Sequence, residues 1–294
     1  MSRTLEAQLG YLSAEISSLK SELATLRRME ISPSRKQLSS NLTLYVRADG
    51  SDANSGLANT ASGAFATIQH AINVVCRDYE SGVYSITIQI QDGTWPHANT
   101  VTLNPHLIAG GVVLQGNPAN PLACIIQKSS AGWLFFFARG GGLGHWTLNG
   151  LNMGRSATGF DVNTVLVGDT VLLHIQNCNF GNAGPGGSHL YATNLAQIKT
   201  TGPISISGGA YRHAIADRGS IIDLIGAYTL TGTPVFTHWV EGYRGSKLIH
   251  QNSAVVSGAS TVSLRYYLQW QSMAEGIGNM PGAGGSSDAT SIAF

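Results

Sequence analysis

The sequence predicts a mainly β protein: a solenoid of short stacked strands behind a capping helix, with an α-helical parallel coiled coil ahead of both. Three observations predict it. The segment 218–232, RGSIIDLIGAYTLTG, is echoed at 244–258 by RGSKLIHQNSAVVSG, each opening on Arg-Gly-Ser and closing on Gly after the same interval. The apolar anchors Leu172, Ile198, Ile222 and Leu248 recur at steps of 26, 24 and 26 residues. Finally, the 294 residues include 36 Gly and only 11% charged side chains, a composition that suits an all-β chain better than a helical one.

The body is read from the recurrence of a signature rather than from strands alone. Six residues after each anchor stands a further apolar or small residue: Cys178, Ile204, Tyr228 and Ala254. A period in the twenties built of two or three short strands per repeat describes a coil that cannot bury its apolar face alone, so that successive coils stack on one core. The Leu and Asn spacing of a leucine-rich repeat is absent, and a β-sandwich does not repeat a two-strand signature. Short alternating runs such as ITIQIQDG at 86–93, VVLQG at 112–116 and WTLNGLNMG at 146–154 extend the pattern upstream.

The first thirty residues follow different physics. Leu5, Leu9, Leu12, Ile16, Leu19, Leu23 and Leu26 are spaced alternately four and three apart, which sets an a/d stripe. Glu15 and Glu22 then fall at g, with Lys20 and Arg27 at e, so a parallel in-register pairing opposes unlike charges. Each exposed pair is worth only a few tenths of a kcal/mol and serves orientation. The mix of Leu and Ile at a leaves two strands and three both open. Ser32-Pro33-Ser34 ends the helix, because a residue before Pro is pushed out of the helical region.

The expected domains are a stem (1–31), a linker (32–41), a strand with the capping helix (42–80), the solenoid body (81–270) and a Gly/Ser-rich C-terminal segment (271–294). Leu42, Leu44 and Val46 alternate as a strand, and 49–63 reads as a long polar loop. Phe65, Ile68, Ala71, Ile72 and Val75 form one helical face, with Thr67 or Ala66 at its start. A helix over the first coil protects both exposed core and unpaired strand edge. Asp49, Asp52 and Asn54 crowd oxygen ligands but lack calcium-loop spacing, and Asx-turn chemistry explains them.

The run YVRADGSDANSGLANTASGAFATIQHAINVV followed by ITIQIQDGTW resembles the entry to the right-handed parallel β-helix of the tail spikes and tail fibres of tailed bacteriophages and prophages, within the pectate-lyase-like superfamily. The resemblance is densest over 44–95 and looser to about 258. It implies a right-handed helix, a parallel homotrimer and a place in the virion tail. It also implies attachment to other tail or baseplate proteins through the N-terminal stem, and host surface polysaccharide as the target. Spikes that degrade polysaccharide are usually longer than this body allows.

For chemistry the sequence offers little. Glycosidic hydrolysis needs two carboxylates about 5–9.5 Å apart. Past residue 81, acids clustered within adjacent coils are limited to Asp217, Asp223 and Glu241, and the repeat stacks no acid on another. They are the alternative catalytic set; Arg212, Arg218 and Arg244 stand nearby as cations. His189, His213 and Trp239 occupy one coil position and read as a packed ladder of planar rings. Tyr191, Tyr211, Trp239 and Tyr243 are the candidate glycan contacts, since sugar CH faces stack on aromatic rings. No zinc or nucleotide motif is present, and no cofactor or metal is expected. A formal charge of +1 gives no electrostatic case for nucleic acid, and no apolar run suggests membrane insertion or a secretory signal. Cys76, Cys124 and Cys178 fit buried thiols. The function expected is adhesive attachment without cleavage, with a polysaccharide depolymerase and a structural tail adaptor as alternatives.

Overall fold

The computed structural model describes Ile16, Lys20 and residues 35–137, 144–251 and 256–294. The chain divides into two compact units, Met1–Gln37 and Leu38–Phe294. In the first, Ile16 and Lys20 are helical and exposed. The remaining heptad positions, Leu5, Leu9, Leu12, Leu19, Leu23 and Leu26, with Glu15, Glu22 and Arg27, lie outside the described residues.

The second unit is a β-solenoid of about seven turns. Three sheets of ten, eight and seven strands form its walls, and their strand pairings are parallel. One full coil shows the pattern: Gln197–Thr200 joins the ten-stranded sheet, Ile204–Ile206 the seven-stranded sheet and Ala210–Ala216 the eight-stranded sheet. The next coil repeats the path with Ile221–Leu224, Tyr228–Leu230 and Val235–Gly242. Pairing also runs past residue 270, where Met273–Glu275, Ser286–Ser287 and Ile292–Ala293 add to two of the sheets.

Stacked side chains make the core. One column runs Leu42, Ile86, Val112, Trp146, Leu173, Ile198, Ile222, Leu248, Ala274 and Ala293. The expected anchor Leu172 is corrected by one residue, since it pairs with Gln197 while Leu173 pairs with Ile198. The cause is a shortened corner. In this coil Asn177 alone, at φ 51°, links the strands ending at Gln176 and beginning at Cys178. The next coil uses three residues, 201–203, for the same corner. Since strand side chains alternate faces, a one-residue slip exchanges inside for outside. Val256, rather than Ala254, stands beside Tyr228 in the second column; Ala254 is outside the described residues.

Among the described residues, the Arg-Gly-Ser echo marks a turn used five times. Its two central residues are left-handed in Asp169-Thr170, Asn194-Leu195, Arg218-Gly219, Arg244-Gly245 and Trp270-Gln271, with φ between 52° and 71°. The turns are themselves laddered: Thr170, Leu195, Gly219 and Gly245 donate backbone N–H to the carbonyls of Asn194, Arg218, Arg244 and Trp270, at 2.9–3.1 Å. Glycine suits the second position because it has no Cβ to clash at positive φ.

The helix Ile68–Asp78 starts at Thr67, whose Oγ1 accepts from His70 N at 3.2 Å. Asp52 completes the start, its Oδ1 accepting from Ala66 N and Thr67 N at 2.9 Å. The buried face, Ile68, Ala71, Ile72 and Val75, joins the solenoid core at 0% exposure. Burial of each large aliphatic contributes roughly 1.5–3 kcal/mol. Cys76, Cys124 and Cys178 are buried and form no disulfide. Burial pushes the Cys124 and Cys178 thiols up to about 12.

Candidate functional site

The eight-stranded sheet carries the densest chemistry, and a break in its alternation explains why. In strand Ala210–Ala216, His213 and Ala214 are both fully buried; in Val235–Gly242 the same holds for Trp239 and Val240. Two consecutive inward residues leave their neighbours, three apart, on the outer side. His238 Nδ1 and Glu241 Oε1 therefore meet at 2.6 Å. Arg212 Nε stands 3.4 Å from the other carboxylate oxygen, close enough for an ion pair but without hydrogen-bond geometry. Tyr243 Oη donates to that oxygen at 3.1 Å. Burial first, then the Glu241 charge, pushes the Tyr243 phenol well above its ordinary range.

Aromatic rings cover this buried carboxylate. Tyr211 meets His238 edge-on at 5.4 Å, His238 stacks on Tyr267 at 5.3 Å, and Tyr267 touches Tyr243 at 6.1 Å. Trp270, 54% exposed, continues the strip from Tyr243 at 5.8 Å. Arg212 lies over Tyr211 and Arg244 over Trp270, 5.1 and 5.8 Å from the ring centroids. The result is a strip of rings with a guanidinium group at each end, spanning about two strand spacings, or roughly 10 Å.

Each of the three acids singled out in the sequence has a structural partner. Asp217, with its side chain 2% exposed, accepts a two-pronged bond from Arg244, at 2.7 Å from Nε and 2.8 Å from Nη2. Arg218 Nε is 3.9 Å away. Glu241 holds His238, Arg212 and Tyr243 as above. Asp223 is on a different wall, the ten-stranded sheet, where Gln251 Nε2 spans its two oxygens at 2.9 and 3.1 Å. Sequence distance could not show that separation, because one coil visits all three sheets within about 25 residues.

Among the expected contacts, Tyr191, Tyr211 and Tyr243 are half-buried on the eight-stranded wall or its edge. Trp239 is corrected: at 0% exposure it stacks on His213 at 4.4 Å inside the core and offers no face to a ligand. The ladder expected there is present, with His189 Nδ1 and His213 Nδ1 3.2 Å apart. Tyr267 and Trp270 are the residues that sequence reasoning missed. Each lies 26 residues beyond a residue already noted, Glu241 and Arg244, so one more repeat of the period would have found them.

No family model matches the chain, and no curated protein matches it. Two solved structures of the pectin methylesterase from Aspergillus niger, one penultimately deglycosylated and one deglycosylated, are similar to it. Both are 13% identical over 89% of this chain and 85% of theirs, with TM-scores of 0.41 and 0.42. The fold described above rests on the strand pairing itself.

A concavity of about 430 Å³ away from the strip is lined by Arg47, Asn59, Gln89, Gln91, Asp92 and Gln115, among others. Its amides are largely spent on structure: Gln89 Nε2 donates to Gly116 O at 2.9 Å and Gln115 Nε2 to Gln89 Oε1 at 2.8 Å. Among the described residues no cluster of three or more metal-ligating side chains occurs, and Asp49 pairs with Arg47. No described helix is long and apolar enough to cross a membrane.

Proposed function

We propose that this chain is a polysaccharide-binding β-helix that works as a phage tail fibre or tail spike, a parallel homotrimer whose solenoid adheres to host surface glycan without cleaving it. The observation that carries the binding reading is the strip Tyr211, Tyr267, Tyr243 and Trp270, packed over the buried His238, with Arg212 and Arg244 against its rings. Rings fixed by their mutual contacts present apolar surface to the CH faces of successive sugars, while the guanidinium groups reach hydroxyls. Weak contacts of this kind gain force from repetition on three chains. The heptads at 5–26 and the resemblance over 44–95 support the trimer and the virion setting.

Adhesion is favoured over hydrolysis because Asp217, Asp223 and Glu241 have separate sets of partners, whereas a hydrolytic pair needs two carboxyls facing one bond. One observation favours a polysaccharide-cleaving enzyme as the second reading. His238, oriented by Glu241 at 2.6 Å, has the form of a carboxylate-held general base and lies beneath the aromatic strip. The two readings separate on Trp270→Ala and His238→Gln. Tested by glycan array and by a reducing-end assay on each bound polymer, adhesion requires binding that falls at least tenfold in Trp270→Ala, with no reducing ends from wild type. Reducing ends released by wild type and lost in His238→Gln establish the enzyme instead.

A further inference from the structure

The turn ridge beside the strip has a composition that the strip alone does not explain. The first left-handed residue of the five laddered turns runs Asp169, Asn194, Arg218, Arg244, Trp270, one coil apart, about 4.8 Å each. Asn194 Nδ2 donates to Asp169 Oδ1 at 2.9 Å, and Arg218 Nη1 donates to Asn194 Oδ1 at 3.3 Å. Arg244 is fixed by both oxygens of Asp217 and lies over Trp270. The Asp169 end is thus bonded to its neighbour, while the other end gathers two cations against one buried anion.

That imbalance faces water. The Asp217 side chain is 2% exposed, whereas those of Arg218 and Arg244 are 53% and 49% exposed. One carboxylate, spent inward, holds two guanidinium groups that both keep unspent N–H donors outward. Among the described residues, Arg218 hydrogen-bonds through Nη1 and Arg244 through Nε and Nη2, which leaves Arg218 Nη2 and Arg244 Nη1 for a ligand. Their left-handed backbone, φ 52° at both, is anchored by the turn-to-turn bonds, and the side chains are restrained by Asp217 on Arg244 and Asn194 on Arg218, which lowers the ordering cost of binding. Trp270, next along the ridge, offers an exposed ring for the sugar that bears the charge.

We propose that Arg218 and Arg244, with Trp270, form a subsite for the carboxylate of an acidic saccharide. This deepens the adhesive reading above and rests on it. The guanidinium fork matches a planar carboxylate in two-point fashion, and a single site of this kind discriminates the acid from the same sugar without its charge. Salt weakens the contact because both cations are half exposed.

The test uses the full chain and two polymers: an oligoglucuronate, and the same oligomer with its carboxyls reduced to alcohols. Calorimetric titration is expected to show the acid form binding at least tenfold tighter than the reduced form. Arg218→Gln, which leaves the Asp217–Arg244 pair intact, is expected to remove that preference, and Trp270→Ala to weaken both forms. Equal binding of the two forms, or an acid preference unchanged in Arg218→Gln, overturns the subsite. If the two forms bind equally and depend on Trp270, adhesion stands while the charge reading falls. If neither these oligomers nor any glycan on the array binds, both readings fall.

Discussion

Leu172 and Leu173 are adjacent, chemically identical and assigned to opposite faces of one strand, so truncating each in turn tests the register directly. Leu173 is fully buried between Trp146 and Ile198 in the longest column of the core. Leu→Ala there removes three carbons, about 2 kcal/mol of transfer free energy. The rigid stack above and below cannot collapse into the space, and the cavity raises the loss to about 3–4 kcal/mol. Leu172 is half-buried beside Gln197, and its truncation should cost less than about 1 kcal/mol. Urea unfolding followed by far-UV circular dichroism reads both. Because the two sites share a coil, any departure from two-state behaviour in a repeat protein affects them alike. Equal losses, or a larger loss at Leu172, would refute the one-residue corner at Asn177.

Four further outcomes follow from the same geometry. Burial lowers His189 to about 3, His250 to about 4 and His213 well below its usual value, so the fold holds them neutral. Their contribution is present above pH 6.5 and lost as pH falls, by about 2 kcal/mol per fully buried histidine at pH 5; an unfolding free energy unchanged between pH 7 and 5 would contradict this. Arg244→Ala leaves the Asp217 carboxylate buried beside Arg218 alone and should cost about 3 kcal/mol, with Arg244→Ala/Asp217→Asn recovering much of it in thermal melts. Leu195→Gly, at φ 63° where the equivalent residues are Gly219 and Gly245, should raise stability by up to about 1 kcal/mol despite losing a side chain, as read by the urea midpoint. The full chain should scatter light as a trimer, and Leu12→Asp with Leu19→Asp should scatter as a monomer.

Much of the solenoid could be read from residue order because stacking forces periodicity into the chain. Ile198, Ile222 and Leu248 recur since each must cover the one before it, and Thr67 shows itself as a cap by preceding an apolar face. The His189, His213 and Trp239 ladder was legible for the same reason. The period does not, however, report the length of each corner, and Asn177 alone moved the inferred Leu172 anchor off its column. Nor does it report the side. Trp239 and Tyr267 are both large aromatics on neighbouring strands of one wall, and only the double inward step at Trp239 and Val240 puts one inside and the other out. Proximity along the chain groups Asp223 with Asp217 and Glu241, although the path between them turns a corner onto another sheet.

Incubating host surface polysaccharide with the full-length protein, and following both by size-exclusion chromatography with light scattering, tests adhesion without cleavage most directly. The account requires the protein to elute with the polymer and the polymer to keep its length through prolonged incubation. Shortened polymer, with shortening abolished in Glu241→Gln, would contradict it, and so would protein that elutes apart from every polymer tried.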